Sequence, residues 1–322
     1  MKWRGPVAAL ILGVTLAATA CGSEGDSSSS KEVRIDYAYY NPLSLVVRDQ
    51  KLLENQDFDV TWVLSAGSNK ANEGLRSNAL DFGSTAGAAA LVARANGSPI
   101  KVVDVYSKPE WTALVVGKNS PIHSVAELKG KKIAVTKGTD PYYFLLQSLA
   151  VNGLSRDDVE IVNLQHADGK TALERGDVDA WSGLDPFIAQ TVQEQGSRLL
   201  YRNPDFNSYG VLNAREDVIA ERPDTVQAVV NAYEEARRWA VAHPNELSQL
   251  LAEEAKISPS VAHEELERTD LKVNPTPGQS QIAVLSTILP IAVGDNDIRS
   301  PEAGRNALDS LIEPKFAEQS AH

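Results

Sequence analysis

The sequence predicts an α/β protein of two lobes, on the basis of its length, its composition and the alternation of its apolar patterns. The chain has 322 residues, which is more than one hydrophobic core usually fills. Hydrophobic residues make up 43% and charged residues 23%, as in ordinary globular proteins. From residue 31 onward, short β-rich runs alternate with helical patterns. This alternation predicts mostly parallel sheets with helices packed on them.

The first half of the pattern gives one set of strands and helices. Runs of β-branched and aromatic residues predict strands over 33–37, 60–64, 80–82, 100–105 and 112–116. Apolar residues at helical spacing predict helices over 43–53 and 70–78, and an alanine-rich run predicts another over 85–96.

A second set begins after Pro121. Ser124 and Glu127 have the spacing of a capping box, and Gly130 should end that short helix. Strands are expected over 132–135, 159–162 and 178–181, and helices over 140–152, 169–175 and 186–194. The last third reads as helices over 228–242, 246–255, 259–268 and 279–291, with a frayed polar end from Gln319.

These sets predict a chain that builds one lobe, builds a second and then crosses back to the first. We expect lobe 1 over 33–113 plus 210–292, lobe 2 over 114–209 and a C-terminal extension over 293–322. The remaining N-terminal residues divide into a signal peptide over 1–20 and a lipidated cysteine with a flexible tether over 21–32.

The N-terminal segment predicts export. Lys2 and Arg4 precede an apolar run over 7–16, and small residues over 17–20 lead directly to Cys21, the only cysteine of the chain. A lone cysteine cannot form an internal disulfide, and this spacing resembles a bacterial lipoprotein signal, although Ala18 stands where leucine is usual. We expect a lipid-anchored protein on the outer face of the cytoplasmic membrane. An ordinary cleaved signal with an incidental cysteine is the alternative.

The net charge of −12 argues against binding to nucleic acid and against electrostatic attraction to anionic lipid. Membrane attachment would therefore depend on the acyl group at Cys21. The polar run over 22–30 has the composition of a flexible tether.

Three strand-to-helix junctions, over 65–69, 83–87 and 137–141, combine glycine with small hydroxyl or amide residues. Glycine lets a ligand approach the backbone, and a helix N-terminus offers unpaired N–H groups and a partial positive charge. Each junction alone could be a simple cap and turn, but three at the ends of predicted strands predict an anion-binding cleft. The candidate residues are Gly67, Ser68, Asn69, Ser84, Thr85, Gly87, Gly138, Thr139 and Asp140.

Aromatic and polar side chains near these junctions are typical of a cleft that binds an organic group. Each could instead pack in the core or on the surface, and about half are expected to touch ligand. The further candidates are Tyr39, Tyr40, Asn41, Trp111, Tyr142, Trp181, Asp185 and Tyr209. The histidines lack metal-ligand spacing and no serine lies in a nucleophile-elbow pattern, so neither a metal nor a cofactor is expected.

Three segments resemble the aliphatic sulfonate, taurine and nitrate branch of ABC-transporter solute-binding proteins. They are the run NSPIHSVAELKGKKIAV over 119–135, the run LDFGST over 80–85, and the run GDVDAW over 176–181 with Asp185-Pro186 after it. The resemblance extends from about residue 33 to residue 243. It is closest to the aliphatic sulfonate binders.

The resemblance implies a type II periplasmic-binding fold, in which two α/β lobes joined by two crossing strands close on a ligand and deliver it to an ABC permease. It implies that Gly67-Ser68 and the 83–87 loop line the cleft from lobe 1, and that Gly138-Thr139-Asp140, Trp181 and Asp185 line it from lobe 2. We also expect a monomer. Two departures bear on the ligand: Ala86-Gly87-Ala88 and Asp140-Pro141-Tyr142-Tyr143. The two tyrosines suggest a larger or more aromatic ligand than methane- or ethanesulfonate.

Several alternatives remain at this stage. Taurine, nitrate or a thiamine-precursor pyrimidine could be the ligand. The ammonium group of taurine would require a carboxylate partner, such as Asp140 or Asp185. Enzymes share this fold, namely a sulfinate desulfinase and pyrimidine-phosphate synthases. The resemblance implies that both depend on cysteines, and this chain has none beyond Cys21. The sequence therefore favours a binding protein.

Overall fold

The computed structural model describes residues 32–320. The predicted signal peptide, Cys21 and the tether up to residue 31 lie outside these residues. Within 32–320, no helix is long and apolar enough to cross a membrane.

The described residues form eleven strands and thirteen α-helices. The strands are β1 (Val33–Tyr37), β2 (Val60–Leu64), β3 (Phe82–Ala86), β4 (Ile100–Pro109), β5 (Thr112–Val116), β6 (Lys132–Val135), β7 (Glu160–Asn163), β8 (Ala180–Leu184), β9 (Arg198–Tyr201), β10 (Gly210–Arg215) and β11 (Thr269–Asp270). The helices are α1 (Pro42–Asp49), α2 (Ser68–Arg76), α3 (Gly87–Ala95), α4 (Asp140–Val151), α5 (His166–Arg175), α6 (Phe187–Gln195), α7 (Glu216–Glu221), α8 (Pro223–Ala242), α9 (Pro244–Ala255), α10 (Pro259–Glu267), α11 (Gln279–Gly294), α12 (Pro301–Ser310) and α13 (Lys315–Ser320).

The strands assemble into two sheets, which confirms the mixed α/β class. The first sheet has the order β11-β4-β10-β3-β1-β2 and the second the order β7-β6-β8-β5-β9. The chain passes from the first sheet to the second through residues 110–111, and returns through residues 202–209.

The expectation of mostly parallel sheets is wrong. β1 pairs in parallel with β2 and β3, and β6 with β7 and β8. In contrast, β10 runs antiparallel to β3 and β4, and β5 runs antiparallel to β8 and β9. β5, the first strand after the chain leaves the first sheet, and β10, the first strand after it returns, each run opposite to their neighbours. The local βα pattern does not indicate these directions.

One apolar cluster runs from the first sheet to the second. It joins Ala88 of α3 and Leu285 of α11 to Leu114 of β5, Ile133 of β6 and Tyr142 of α4, all of them buried. The two halves are therefore packed against each other along one side in this conformation, through α3 and α11 on α4.

Several local expectations differ from the structure. The segment Val125–Leu128 is a single 3-10 turn in which Ser124 makes no side-chain capping bond, while Glu127 accepts from the His123 N–H. Helix α5 begins at His166 instead of residue 169, and Thr85 lies at the end of β3 instead of in a helix. Helices α12 and α13 have no counterpart in the sequence expectation.

Candidate ligand site

The candidate site lies where the carboxyl ends of strands in both sheets meet the starts of helices. Helices α2, α3, α4 and α5 follow β2, β3, β6 and β7, and in none of the four does the N-cap residue make a side-chain capping bond. Because the first N–H groups of a helix lack intrahelical partners, such ends suit an anionic ligand.

On the side of the first sheet, polar groups converge on Ser84. Its N–H and hydroxyl donate to Asp36 Oδ1 at 2.8 and 2.9 Å, its Oγ accepts from Asn41 Nδ2 at 2.7 Å, and its carbonyl accepts from the Tyr40 hydroxyl at 2.9 Å. Asn41 Nδ2 also lies 3.3 Å from the Tyr233 hydroxyl. Burial raises the pKa of Asp36 to about 7, against the opposing effect of these hydrogen bonds. Ser84 and Asn41 therefore hold the loops of this side in place.

Asp140 ties α4 to both segments that connect the sheets. Its carboxylate accepts from Trp111 Nε1 at 2.8 Å, from the Ser208 N–H at 2.8 Å and from the Ser208 hydroxyl at 2.6 Å. The same hydroxyl oxygen accepts from the Ala88 N–H at 3.1 Å, at the start of α3. Burial raises the pKa of Asp140 to about 6, and the bonds from Ser208 and Trp111 act in the other direction. This arrangement fixes the relative placement of α3 and α4.

Asp185 forms a second link between the sheets. Arg268, which follows α10, approaches both carboxylate oxygens at 2.8 Å, and the Ala189 N–H donates to Oδ1 at 3.0 Å. Burial raises the pKa of Asp185 to about 6, and the charge of Arg268 lowers it. The Asp140 carboxylate is thus engaged by three donors, whereas Asp185 Oδ2 faces Arg268 but accepts no hydrogen bond.

The loops after β2 and β7 meet directly. Ser68 Oγ accepts from the Ala86 N–H at 2.9 Å, which joins two of the predicted junctions. A methyl group built on Gly67 would lie only 2.9 Å from His166 Nε2, and Asn69 Cβ lies 3.6 Å from the corresponding position on Gly138. The two sides therefore contact each other here, without room for a side chain at position 67.

Other candidates are oriented by internal bonds. Thr85 Oγ1 accepts from Asn213 Nδ2 at 2.8 Å, and Thr139 Oγ1 donates to the Thr136 carbonyl at 2.6 Å. The Gly87 N–H donates to the carbonyl of Tyr209 at 2.8 Å.

The structure places four aromatic candidates in other surroundings. The Tyr142 hydroxyl donates to Asp295, and that of its neighbour Tyr143 donates to Asp297 at 2.9 Å, both at the end of α11. These bonds occupy both hydroxyls, which removes the argument that the two tyrosines call for a bulkier ligand. Tyr39 packs beside α1 and α9, Tyr209 lies under the Lys108 ammonium, and Trp181 is buried between Gly169 and Gly183.

Five residues at the site were missed by the sequence argument: Asp36, His166, Ser208, Tyr233 and Arg268. The sequence carried a usable signal for His166, because it follows a predicted strand in the way that Ser68 and Thr139 do. Arg268 and Tyr233 are brought to the site by distant helices, for which no local pattern exists. Within residues 32–320, no group of three or more His, Cys, Asp or Glu could hold a metal ion.

Comparisons with known proteins agree with this architecture. The model of the family described as "NMT1/THI5 like" matches residues 45–247. The chain belongs to this family. A relative from Escherichia coli (strain K12), named as a candidate aliphatic sulfonates-binding protein, is 31% identical over 213 residues, covering 65% of this chain and 67% of that protein.

Two solved structures of similar shape support the fold assignment. The periplasmic aliphatic sulphonate binding protein SsuA from Escherichia coli has a TM-score of 0.75 at 25% identity, covering 88% of this chain and 92% of that one. The alkanesulfonate-binding protein SsuA from Xanthomonas axonopodis pv. citri, bound to MOPS, has a TM-score of 0.76 at 24% identity, covering 86% and 97%. The expected periplasmic-binding fold is therefore confirmed.

Proposed function

We propose that this protein is the extracytoplasmic solute-binding component of an ABC importer and that it captures an organosulfonate. The observation that carries the proposal is the set of three helix N-termini, those of α2, α4 and α5, that begin without side-chain caps at the ends of strands in two facing sheets, whereas the first N–H groups of α3 are engaged by Tyr209 and Ser208. Backbone N–H groups bind an anion without a cationic side chain, as suits a chain of net charge −12. The relative named for aliphatic sulfonates supports this ligand class.

Capture would proceed by closure of one sheet on the other about residues 110–111 and 202–209. Closure removes the ligand from water and so strengthens its hydrogen bonds with prearranged donors. The closed form would then dock on the transmembrane permease, which takes the ligand onward. No covalent step is required, and we infer that the protein is not an enzyme, because the enzymes that share this fold depend on cysteines and the single cysteine of this chain is the proposed site of lipid attachment.

We further propose that Cys21 carries a lipid that anchors a monomeric protein to the outer face of the bacterial cytoplasmic membrane. The apolar run and the small residues before Cys21 support this reading, as does the polar tether after it. Replacing Cys21 with alanine should abolish metabolic labelling with a fatty acid. Labelling that persists in the variant would exclude the anchor.

A thermal-shift panel on the soluble fragment 23–322 tests the ligand class. Alkanesulfonates, arylsulfonates, taurine, nitrate, sulfate and a hydroxymethylpyrimidine would be compared. A ligand present at a hundred times its dissociation constant should stabilise the fold by about 2.7 kcal/mol. Stabilisation by the pyrimidine or nitrate, with none by any sulfonate, would refute the proposal.

A further inference from the structure

The two halves of the molecule touch on two flanks, and the contacts on these flanks differ in chemistry. On one of them, α4 packs against α3 and α11, and we call this contact the α4 flank. Its buried side chains belong to one apolar cluster, which includes Tyr142 and Tyr143 of α4 and Leu285, Ile288 and Ala292 of α11. Separating these helices would return this apolar surface to water, so the α4 flank resists opening.

Two hydrogen bonds reinforce the α4 flank. The Tyr142 hydroxyl donates to Asp295, and the Tyr143 hydroxyl donates to Asp297 at 2.9 Å. Both tyrosines are fully buried. These bonds would have to break together with the apolar contact, which makes the α4 flank an edge that stays closed.

The ion pair of Asp185 and Arg268 is a second fixed point, because both partners are tied to the first crossing segment. The Asp185 N–H donates to the Trp111 carbonyl at 2.9 Å, and the Arg268 carbonyl accepts from the Glu110 N–H at 2.8 Å. Closure is proposed to turn about the same crossing residues, so a rotation there displaces this pair little. The α4 flank and the ion pair thus lie near the line about which the halves can turn.

Farther along α6, the contact with α10 includes polar groups at the surface. Gln193 Nε2 donates to the Ser260 carbonyl at 3.2 Å and to Glu264 Oε2 at 2.5 Å, and both Gln193 and Ser260 are exposed. Because α6 begins at Phe187, Gln193 lies about 9 Å along the helix axis from that end. Water can replace such exposed hydrogen bonds with little loss, so a rotation breaks this contact more easily than the α4 flank.

We propose that Gln193 and Glu264 form a clasp that opens to admit the ligand and closes over it, while the α4 flank and the Asp185–Arg268 pair stay in place. The inference rests on the proposed function, and it names residues that set the affinity without touching the ligand. The bonds of the clasp form only in the closed form, so they strengthen the binding of every ligand by the same factor.

The loops after β2 and β7 would separate together with the clasp. β2 and β7 are edge strands of their sheets, and their loops meet where Gly67 contacts His166. This contact holds neither the buried apolar cluster of the α4 flank nor a tie to the crossing segments. Opening of the clasp and of these loops exposes the uncapped helix ends to a ligand from solution.

Distances between spin labels test which flank opens. Cys21→Ala removes the only cysteine of the chain, so labels can be placed on introduced cysteines alone. Glu194→Cys with Glu267→Cys spans the clasp, and Val151→Cys with Thr287→Cys spans the α4 flank, all at exposed positions. In the free protein, double electron–electron resonance should give a distance distribution that is several ångströms broader across the clasp than across the α4 flank. Saturating 1-propanesulfonate should narrow the first distribution to its short component and leave the second unchanged.

Gln193→Leu removes both hydrogen bonds of the clasp at an exposed position. The dissociation constant of 1-propanesulfonate should rise about threefold to tenfold, through faster dissociation, because the closed form loses these bonds. The urea midpoint of the free protein should stay unchanged, whereas a purely structural contact would lower the midpoint and leave the affinity as it was. Gln195→Leu, at the exposed end of the same helix, is the matched control and should change neither quantity.

Three outcomes would overturn the inference. The first is equal width of the two distance distributions in the free protein, and the second is a ligand-dependent change across the α4 flank. The third is a Gln193→Leu variant that binds 1-propanesulfonate as tightly as the parent protein. If no sulfonate of the thermal-shift panel binds, the proposed function fails, whereas the distances in the free protein still decide which flank opens.

Discussion

Gly67 is the single residue whose lack of a side chain most directly permits the two sheets to meet. Its φ of 166° is extended backbone that any residue adopts, so alanine would cause no backbone strain. The obstacle is the contact, since the added methyl group would lie 2.9 Å from both Asn69 Oδ1 and His166 Nε2.

We therefore predict that Gly67→Ala weakens ligand binding about tenfold or more while leaving the free energy of unfolding within about 1 kcal/mol of the parent. The opened form can accept the methyl group, but the closed form cannot. Titration calorimetry and urea unfolding would measure the two quantities. Gly117→Ala is the matched control, because its methyl group would meet nothing within 4 Å. Unchanged affinity in Gly67→Ala would contradict the prediction.

His166 should give the protein an acid-sensitive component of stability. Its pKa is lowered to about 3 by burial, while the unfolded chain takes up the proton near its ordinary pKa of 6.5. Below that pH the unfolded state binds the proton and the folded state does not, so the contribution to stability falls as the pH falls. At pH 5 the loss amounts to about 2 kcal/mol.

The variant His166→Gln lacks this titration. Urea unfolding at pH 7 and pH 5 should show a change in stability that is smaller by about 2 kcal/mol in the variant than in the parent. The exposed His263 on α10 provides the control, and His263→Gln should keep the pH dependence of the parent. An identical pH dependence in parent and His166→Gln would be evidence against a buried neutral ring.

The polar loops were more predictable from the sequence than the hydrogen-bond partners of individual residues. The small residues after β2, β3 and β6 were identified because glycine and hydroxyl side chains cluster where strands end. The hydrogen bonds between Asp36 and Ser84 and between Ser208 and Asp140 were not predictable, because only the tertiary fold brings each pair together. The hydrogen bond of the Tyr142 hydroxyl to Asp295 was unpredictable for the same reason, because Asp295 follows the distant helix α11.

At the scale of elements, the turn between β8 and α6 is held to α10 by one buried ion pair. Asp185 is 1% exposed, and Arg268 is the cation that faces it. Removing one partner of a buried pair leaves the other charge without compensation.

We predict that Arg268→Ala lowers the free energy of unfolding by about 3–5 kcal/mol at pH 7. The pKa of Asp185 is already raised to about 6 in the parent protein, and it should rise further without the arginine. The uncompensated carboxylate can then take up a proton, so the penalty should shrink between pH 7 and pH 5. Denaturant unfolding at both pH values measures this, with the exposed Arg238→Ala on α8 as control. A penalty that grows toward acid pH would contradict the assignment.

The periodicity of apolar residues predicted which segments are helices and which are strands. It was a poorer guide to the residues at which they begin and end. Helix α5 begins at His166, three residues before the expected start, because Gln165 already has the extended backbone of a cap and His166 packs into the interface. Helices α12 and α13 were overlooked, although their buried residues Leu308 and Phe316 contribute to the two main clusters.

At the scale of the whole molecule, Asp140 connects α4, both crossing segments and, through Ser208, the start of α3. An asparagine at this position would place an NH₂ group against donors that now point at a carboxylate. We predict that Asp140→Asn lowers the free energy of unfolding by about 2–3 kcal/mol and broadens the range of lobe orientations. Unfolding experiments and small-angle X-ray scattering with and without ligand would measure both.

Asp205→Asn provides a control for this prediction, since Asp205 is exposed on the same crossing segment as Ser208. It should leave both the stability and the scattering profile unchanged. A similar effect of the two substitutions would mean that Asp140 does not couple the crossing segments.

The two-lobed α/β class and the family were predictable because the βα alternation and the 119–135 segment are local features of the sequence. The strand directions were not predictable in this way. β5 and β10 each enter a sheet from the other one, so their pairing depends on residues far away along the chain. That information is absent from any short window.

The position of β10 also constrains how the protein can be made. This strand lies between β3 and β4, yet it is synthesised only after every strand of the second sheet. A nascent chain that ends before residue 210 leaves β3 and β4 without the partner that pairs with both, and such unpaired edges invite aggregation. The first sheet can therefore be completed only late in synthesis, when β10 is available.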